Sequence, residues 1–357
     1  MYKIRFSEMK IKQDCRDITS GHPLVDRDPF FDSLKFFLIM CVVLGHVMEH
    51  NVTLNSLDTE SALYIFIYTF HMPLFIFVSG YFSKNIIWAK FKKNVLSLLL
   101  TYYVFQAILS VPLMLDGSFL IRDFLFHPRN VMWYIPALLF WRFAFCFISK
   151  LKIHFFVIII LSIVAALTIG FKTTTDSLMY LPSRIIVFSP YFILGYYCSH
   201  STIEKIRNWN KIYSVISLAI VFVSIYLFTN VQFAISLHGI VSFDILFPND
   251  KLSGCLYRLL TFSVSIFVSL CIINIMTIKL AKWGNKTMDI YLLHAPMVYI
   301  LYINILATYN LKVNLLLEFI VFFLIITICL FLSNQKIIQY LLNPIDILKK
   351  GRLILKL

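Results

Sequence analysis

Apolar residues run along the chain in ten long stretches, at approximately 31–48, 62–82, 94–115, 131–149, 153–170, 184–200, 212–229, 254–277, 287–305 and 313–333. Each is close to the ~20 residues that a membrane-crossing helix needs. None shows the apolar/polar alternation of a strand, and hydrocarbon satisfies no backbone group, so helices are expected and not a barrel. The predicted fold class is all-α and integral to the membrane, a polytopic bundle of about ten transmembrane helices. Residues 1–29 alternate charged and polar groups without the apolar run of a cleaved signal peptide, and read as a cytosolic tail. The expected organisation is that tail, one transmembrane domain over 30–335 and a basic cytosolic tail over 336–357.

Composition strengthens this reading: 60% of the 357 residues are apolar and 14% are charged, a balance that a water-soluble fold cannot hide. The formal charge of +14 would suit nucleic acid, but its distribution says otherwise. The tails and the loops around 83–93, 150–152, 201–211 and 278–286 hold about 23 of the 32 cations, against about five in the alternate loops. Those alternate loops carry Glu49, Asp58, Glu60, Asp116, Asp123, Asp176, Asp244 and Asp250. The bias is a topology signal that places both termini in the cytoplasm, and no nucleic-acid partner is needed to explain it. The seven cysteines have no paired spacing, so neither a disulfide framework nor a metal site is expected. No outer loop is long enough for a folded domain of its own. Chemistry must therefore use the membrane core and its short loops.

Ionisable groups inside apolar spans are costly and usually face a partner or a water-filled path. The first span carries Asp32, Lys35 and His46. Lys35 and His46 are eleven residues apart, which brings them within about 20° of one helix face and ~16 Å apart along the axis. Asp32, three residues before Lys35, lies near the same face and can pair with it. The stripe suits a path with a cation near the cytosol and a proton-transferring imidazole deep in the membrane. It equally suits a snorkelling lysine and a histidine that bonds a neighbouring helix. His71 sits at mid-depth in the second span, just before Pro73, where a site role competes with capture of a free carbonyl.

Four stretches in order resemble one family. Asp32 to His46 resembles the first-helix pattern of the acyltransferase 3 family, a basic residue, ten residues and a histidine. Phe70-His71-Met72-Pro73-Leu74-Phe75 with Ser79-Gly80-Tyr81 resembles its second-helix segment. Trp133 to Leu139 and Gly284 to His294 resemble its middle and late motifs. The likeness is particularly to the fucose 4-O-acetyltransferase-like branch. It implies transfer of an acyl group, usually acetyl from cytosolic acetyl-CoA, to a hydroxyl of a cell-surface or lipid-linked glycan in the plasma (inner) membrane of a bacterial cell. It also implies that His46 is the essential histidine and Lys35 its paired basic position. Where many members have Arg-x-x-Arg at the start of the third helix, this chain has Lys90-Phe91-Lys92-Lys93. Lys90, Lys92 and Lys93 keep the charge for CoA phosphates but lack arginine's planar fork.

Further candidates complete the expected site. Arg142 in the fourth span needs a carboxylate, carbonyl or ligand, since arginine does not neutralise itself. Arg184 at the outer end of the sixth span reaches substrate or snorkels. Trp133 and Tyr134 stack on a sugar ring or belong to an aromatic belt. In the ninth span Asp289 and His294 are rotated 140° apart, and His294 is the favoured one. Glu318 in the tenth either orients an imidazole or ends a helix in solvent. The expected mechanism has His46 as base, with His71 or Arg142 stabilising the oxyanion. The competing function is a glycan or lipid transporter or flippase that uses the same buried charges as a path.

Overall fold

A computed structural model describes residues 27–49, 51–52, 58–84, 88–172, 180–228, 230–302, 305 and 313–345, the side chains of Lys90, Lys93 and Leu301 excepted. The described residues form helices joined by turns. In chain order they are α1 (Pro29–Met48), α2 (Thr59–Tyr81), α3 (Trp88–Leu115), α4 (Ile121–Phe126), α5 (Tyr134–Ile148), α6 (Phe155–Thr168), α7 (Tyr180–Tyr197) and α8 (His200–Arg207). They continue with α9 (Lys211–Phe228), α10 (Val231–Ser236), α11 (Phe243–Leu246), α12 (Lys251–Ile275), α13 (Thr287–Pro296), α14 (Leu315–Leu332) and α15 (Lys336–Leu342).

Local chemistry sets the helix starts. Asp28 caps α1 by accepting from Phe30 N at 2.9 Å, and Pro29 supplies a first residue with no N–H to satisfy. Asp58, Asp250 and Asn314 cap α2, α12 and α14 in the same way. Among the described residues seven helical stretches are long and apolar enough to cross a membrane: 29–48, 59–81, 94–115, 130–148, 211–228, 251–275 and 315–332. The other three expected spans are also helical, but shorter or less apolar. The fifth is α6 with a closing 3₁₀ turn to Phe171. The sixth, α7, carries Ser183, Arg184, Ser189 and Pro190. The ninth changes at Pro296, whose missing N–H and ring interrupt the α-helical ladder, into a π-helical segment, Met297–Tyr302. The about ten spans read from hydropathy are thus seven by length and apolarity together.

The helices divide into an inner and an outer set. In α1 and α2, 72% of the membrane-crossing window is buried inside the protein, against 11% in α9 and 28% in α14. The outer helices present Ile216, Ile220, Val223 and Leu227, or Ile320, Phe323 and Leu324, on exposed faces, as expected of helices whose solvent is lipid. The inner pair α2–α7 approaches to backbone contact. A Cβ on Gly80 would lie 2.1 Å from Phe192 O, and one on Gly195 would lie 1.9 Å from Phe77 O. Glycines at such a crossing let two helices meet with no side chain between them. The start of α1 is gripped similarly by a 3₁₀ turn, Ala281–Lys286. Gly284 sits so close to Asp32 that a Cβ there would be 2.4 Å from Asp32 Cβ, and Ser33 Oγ accepts from Leu280 N at 3.1 Å.

Arg258 in α12 is the intramembrane cation that secures the loop side of this bundle. It is 3% exposed, donates to Ala166 O at 2.8 Å and Val241 O at 3.1 Å, and lies over the Phe243 ring. Buried arginine is tolerated here because carbonyls and an aromatic face replace its water.

Candidate active site

One end of the bundle holds a part-open cavity of about 380 Å³. Its walls come from the C-terminal ends of α1 and α3, the middle of α2, the N-terminal part of α7, the loop that precedes α5, the α10–α11 connection, Tyr291 of α13 and Tyr299 of the π-helical segment.

His46 lies in the last turn of α1 and lines this cavity, with 19% of its side chain exposed. Its Nδ1 is 2.8 Å from Glu49 Oε2, one helical turn later. A carboxylate only accepts, so Nδ1–H donates and the neutral ring presents Nε2 as a lone pair. Glu49 therefore fixes the tautomer a base requires and is placed to stabilise the imidazolium that proton uptake would form. His294, fully buried in α13, has its ring centroid 5.8 Å from that of His46. Its Nδ1 donates to Ile290 O at 2.9 Å, and its Nε2 has no hydrogen-bond partner. His71, in the cavity wall, gives Nδ1–H to Ile67 O at 2.8 Å. That bond leaves the neutral ring an acceptor at Nε2, so His71 is a poor donor to an oxyanion.

The same cavity holds residues that the sequence did not mark. His238, from the connection after α10, donates Nδ1–H to Ala234 O at 3.2 Å and faces the Tyr64 hydroxyl at 3.3 Å. Tyr68 packs between its ring and that of His71, at 5.0 and 4.6 Å. Arg129 enters from the loop before α5. That loop hangs from Gln106, a fully buried side chain of α3 that donates to Phe124 O and His127 O, at 3.3 and 2.8 Å, and accepts from Arg129 N at 2.9 Å.

The expected substrate residues divide between the two ends of the bundle. Arg184 and Trp133 line the cavity, the guanidinium 4.8 Å over the indole. Tyr134 does not line it, but its ring packs 5.7 Å from that of Tyr291, which does, and its hydroxyl meets Ser79 Oγ. Asp32, Lys35 and Arg142 lie toward the other end. Lys35 pairs with Asp32 at 2.7 Å and stands 5.3 Å from the Phe82 ring, while Arg142 donates from Nε to the neighbouring Ser83 Oγ at 3.2 Å. Arg142 is thereby removed from the place where an oxyanion beside His46 would form. Lys92, on the first turns of α3, is exposed and lies 5.1 Å from the Trp88 ring. The side chains of Lys90 and Lys93 lie outside the described residues. Asp289 pairs with Lys286 at 3.7 Å, turned away from His294. Glu318 accepts from Asn51 at 2.8 Å and, among the described residues, meets no imidazole. Among the described residues no cluster of three or more His, Cys, Asp or Glu is arranged to hold a metal ion.

Comparison with known proteins gives the class of this membrane bundle. The family model Acyl_transf_3, described as an acyltransferase domain, matches residues 28–334, and the chain belongs to that acyltransferase 3 family. It is a multi-pass membrane protein. Over 63 residues it is 41% identical to the nodulation protein NolL of Sinorhizobium fredii (strain NBRC 101917 / NGR234), a stretch that covers 17% of each chain. No solved structure matches it.

The Glu49 contact makes a specific expectation. Glu49→Gln keeps the shape but loses the charge, and is expected to lower kcat roughly 10- to 1000-fold with the KM for acyl donor little changed, because only the proton-bearing state loses its partner. A parallel rise in KM with unchanged kcat would show that Glu49 serves substrate binding instead.

Proposed function

We propose that this protein transfers an acetyl group from cytosolic acetyl-CoA to a hydroxyl of a cell-surface or lipid-linked glycan. The observation that carries this reading is the cavity with His46, bonded to Glu49, in its wall, at the opposite end of α1 from Lys35 and Asp32. The cation bias supports placing Lys35 at the cytoplasmic side with both termini, and the cavity toward the outside of a plasma (inner) membrane. On that placement the CoA headgroup stays with Lys90, Lys92 and Lys93, and its thioester arm extends along α1 past Lys35. Residues 30–335 act as one transmembrane unit between two cytosolic tails.

In the reaction His46 Nε2 takes the acceptor hydroxyl proton as the oxygen attacks the thioester carbonyl. The C–O bond forms, the tetrahedral intermediate collapses with cleavage of C–S, and the imidazolium returns the proton to the departing thiolate. A positioned imidazole contributes typically 10²–10⁴-fold to such a step. His294 lies against His46 with a free Nε2, where it holds a water or the incoming hydroxyl on line. The test is acceptor-dependent release of free CoA from acetyl-CoA by the purified protein. Release with a glycan acceptor, and recovery of the O-acetylated product, is the expected result. Movement of glycan across a vesicle membrane with no CoA released would instead make the chain a transporter.

A further inference from the structure

The two half-buried arginines of the cavity differ from the buried Arg258. Arg258 also leaves its Nε without a partner, but gives both Nη1 and Nη2 to carbonyls and lies over an aromatic face. Arg184 rests on the Trp133 face alone. Among the described residues its side chain makes no hydrogen bond and no ion pair, and its Nε is buried without a partner. Arg129 is in the same condition: its backbone N–H bonds Gln106, while its side-chain Nε is buried and unpartnered. Both line the one 380 Å³ space, a volume in the range of small-molecule sites. The carboxylate in that wall, Glu49, is within electrostatic range of Arg184 but bonds His46.

A guanidinium cannot discard its proton, and away from bulk water its N–H groups need acceptors. Two such groups facing one cavity, with a single carboxylate engaged elsewhere, make a receptor for an oxyanion. Guanidinium presents paired N–H groups that match the oxygens of a carboxylate or phosphate. We propose that the acceptor of this transferase is anionic, its carboxylate or phosphate oxygens held by Arg184 and Arg129 while a neutral hydroxyl faces His46. The Trp133 ring fixes the Arg184 guanidinium plane from one side and leaves its edge to the ligand. The acceptor class rests on the transferase reading, whereas the anion site itself does not.

Equilibrium binding to the purified protein, without acetyl-CoA, separates the two questions. The probes are a glucuronate-terminated disaccharide beside its glucose counterpart, and farnesyl phosphate beside farnesol. The sugar pair reports a uronate in the glycan, and the lipid pair reports the phosphate of a lipid carrier. At least one anionic probe is expected to bind about tenfold or more tighter than its neutral partner. Arg184→Gln and Arg129→Gln are each expected to bring that preference toward parity, and Arg184→Lys, which keeps the charge, to retain part of it. Equal binding within both pairs, or no binding of any anionic probe, overturns the proposal. So does a preference unchanged in both glutamine variants at wild-type melting temperature. An anion preference without CoA release would leave the anion site standing and refute the transferase.

Discussion

Replacing His46 with alanine is expected to abolish acyl transfer while leaving the protein inserted and folded. The ring is in the last turn of α1, partly exposed to the cavity, and its bond is to Glu49 on the following turn and not to a distant helix. Its removal takes little from the packing that holds α1, which rests on Phe31, Leu34, Leu38, Ile39 and Val43. It does remove the group that accepts the proton in the transition state, and the loss should appear in kcat at roughly 10²–10⁴-fold or beyond. The measurement is CoA release by detergent-purified variant and wild type at matched, monodisperse protein concentration. Turnover near the wild-type rate would take His46 out of the mechanism and move the role to His294, the imidazole beside it. Lys35→Ala makes the internal comparison: Lys35 is ~16 Å along the helix from His46 and paired with Asp32, so its loss weakens donor placement and spares the chemistry.

Gly80→Ala is expected to cost the fold. A methyl group there would lie 2.1 Å from Phe192 O and 2.9 Å from Phe192 C. These are backbone atoms of α7, so no rotamer change makes room. The helices must separate, and with them Gly195 from Phe77. Overpacking typically costs about 1–3 kcal/mol where side chains can yield, and a backbone clash between two inner helices belongs at or above the top of that range. Thermal melting followed by size-exclusion chromatography should show a markedly lower Tm and little monodisperse protein. A wild-type melting curve would mean that α2 and α7 can slide apart freely.

This contact also shows what the sequence could and could not express. Ser79-Gly80 and Gly284 are visible as motif residues, and their physical reason is contact: Gly80 admits α7, and Gly284 admits the start of α1 at Asp32. Helix periodicity was sufficient to put Asp32, Lys35 and His46 on one stripe, because that relation lies within a single element. Glu49 was within reach of the same rule, three residues after His46, but as one acid among several beyond the first span it reads as part of the charge bias. His238 and Arg129 had no local signal. They reach the cavity through the α10–α11 connection and the Gln106-braced loop, and only tertiary packing brings those segments to α1 and α2. The rule that marks Arg142 and Arg184 as cations inside apolar spans marks Arg258 as well. What separates structural from functional arginine is the company each keeps, two carbonyls for one and an open cavity for another, and spacing along the chain does not encode it. Hydropathy gave no warning that Pro296, two residues after His294, ends the ninth apolar stretch in a π-helical segment.

The brace at Gln106 has an evolutionary consequence. Its amide grips main-chain atoms only, the carbonyls of Phe124 and His127 and the N–H of Arg129, so the path of that loop does not depend on which side chains the loop displays. His127 and Arg129 can be exchanged while their mounting stays the same, because a backbone hydrogen bond is indifferent to the side chain beside it, whereas Asn130, at φ 45°, is held by its own backbone conformation. Descendants of this chain would thus inherit a fixed frame with replaceable fittings. Changes in acceptor preference would accumulate at His127 and Arg129, while a buried glutamine one helix away stays constant.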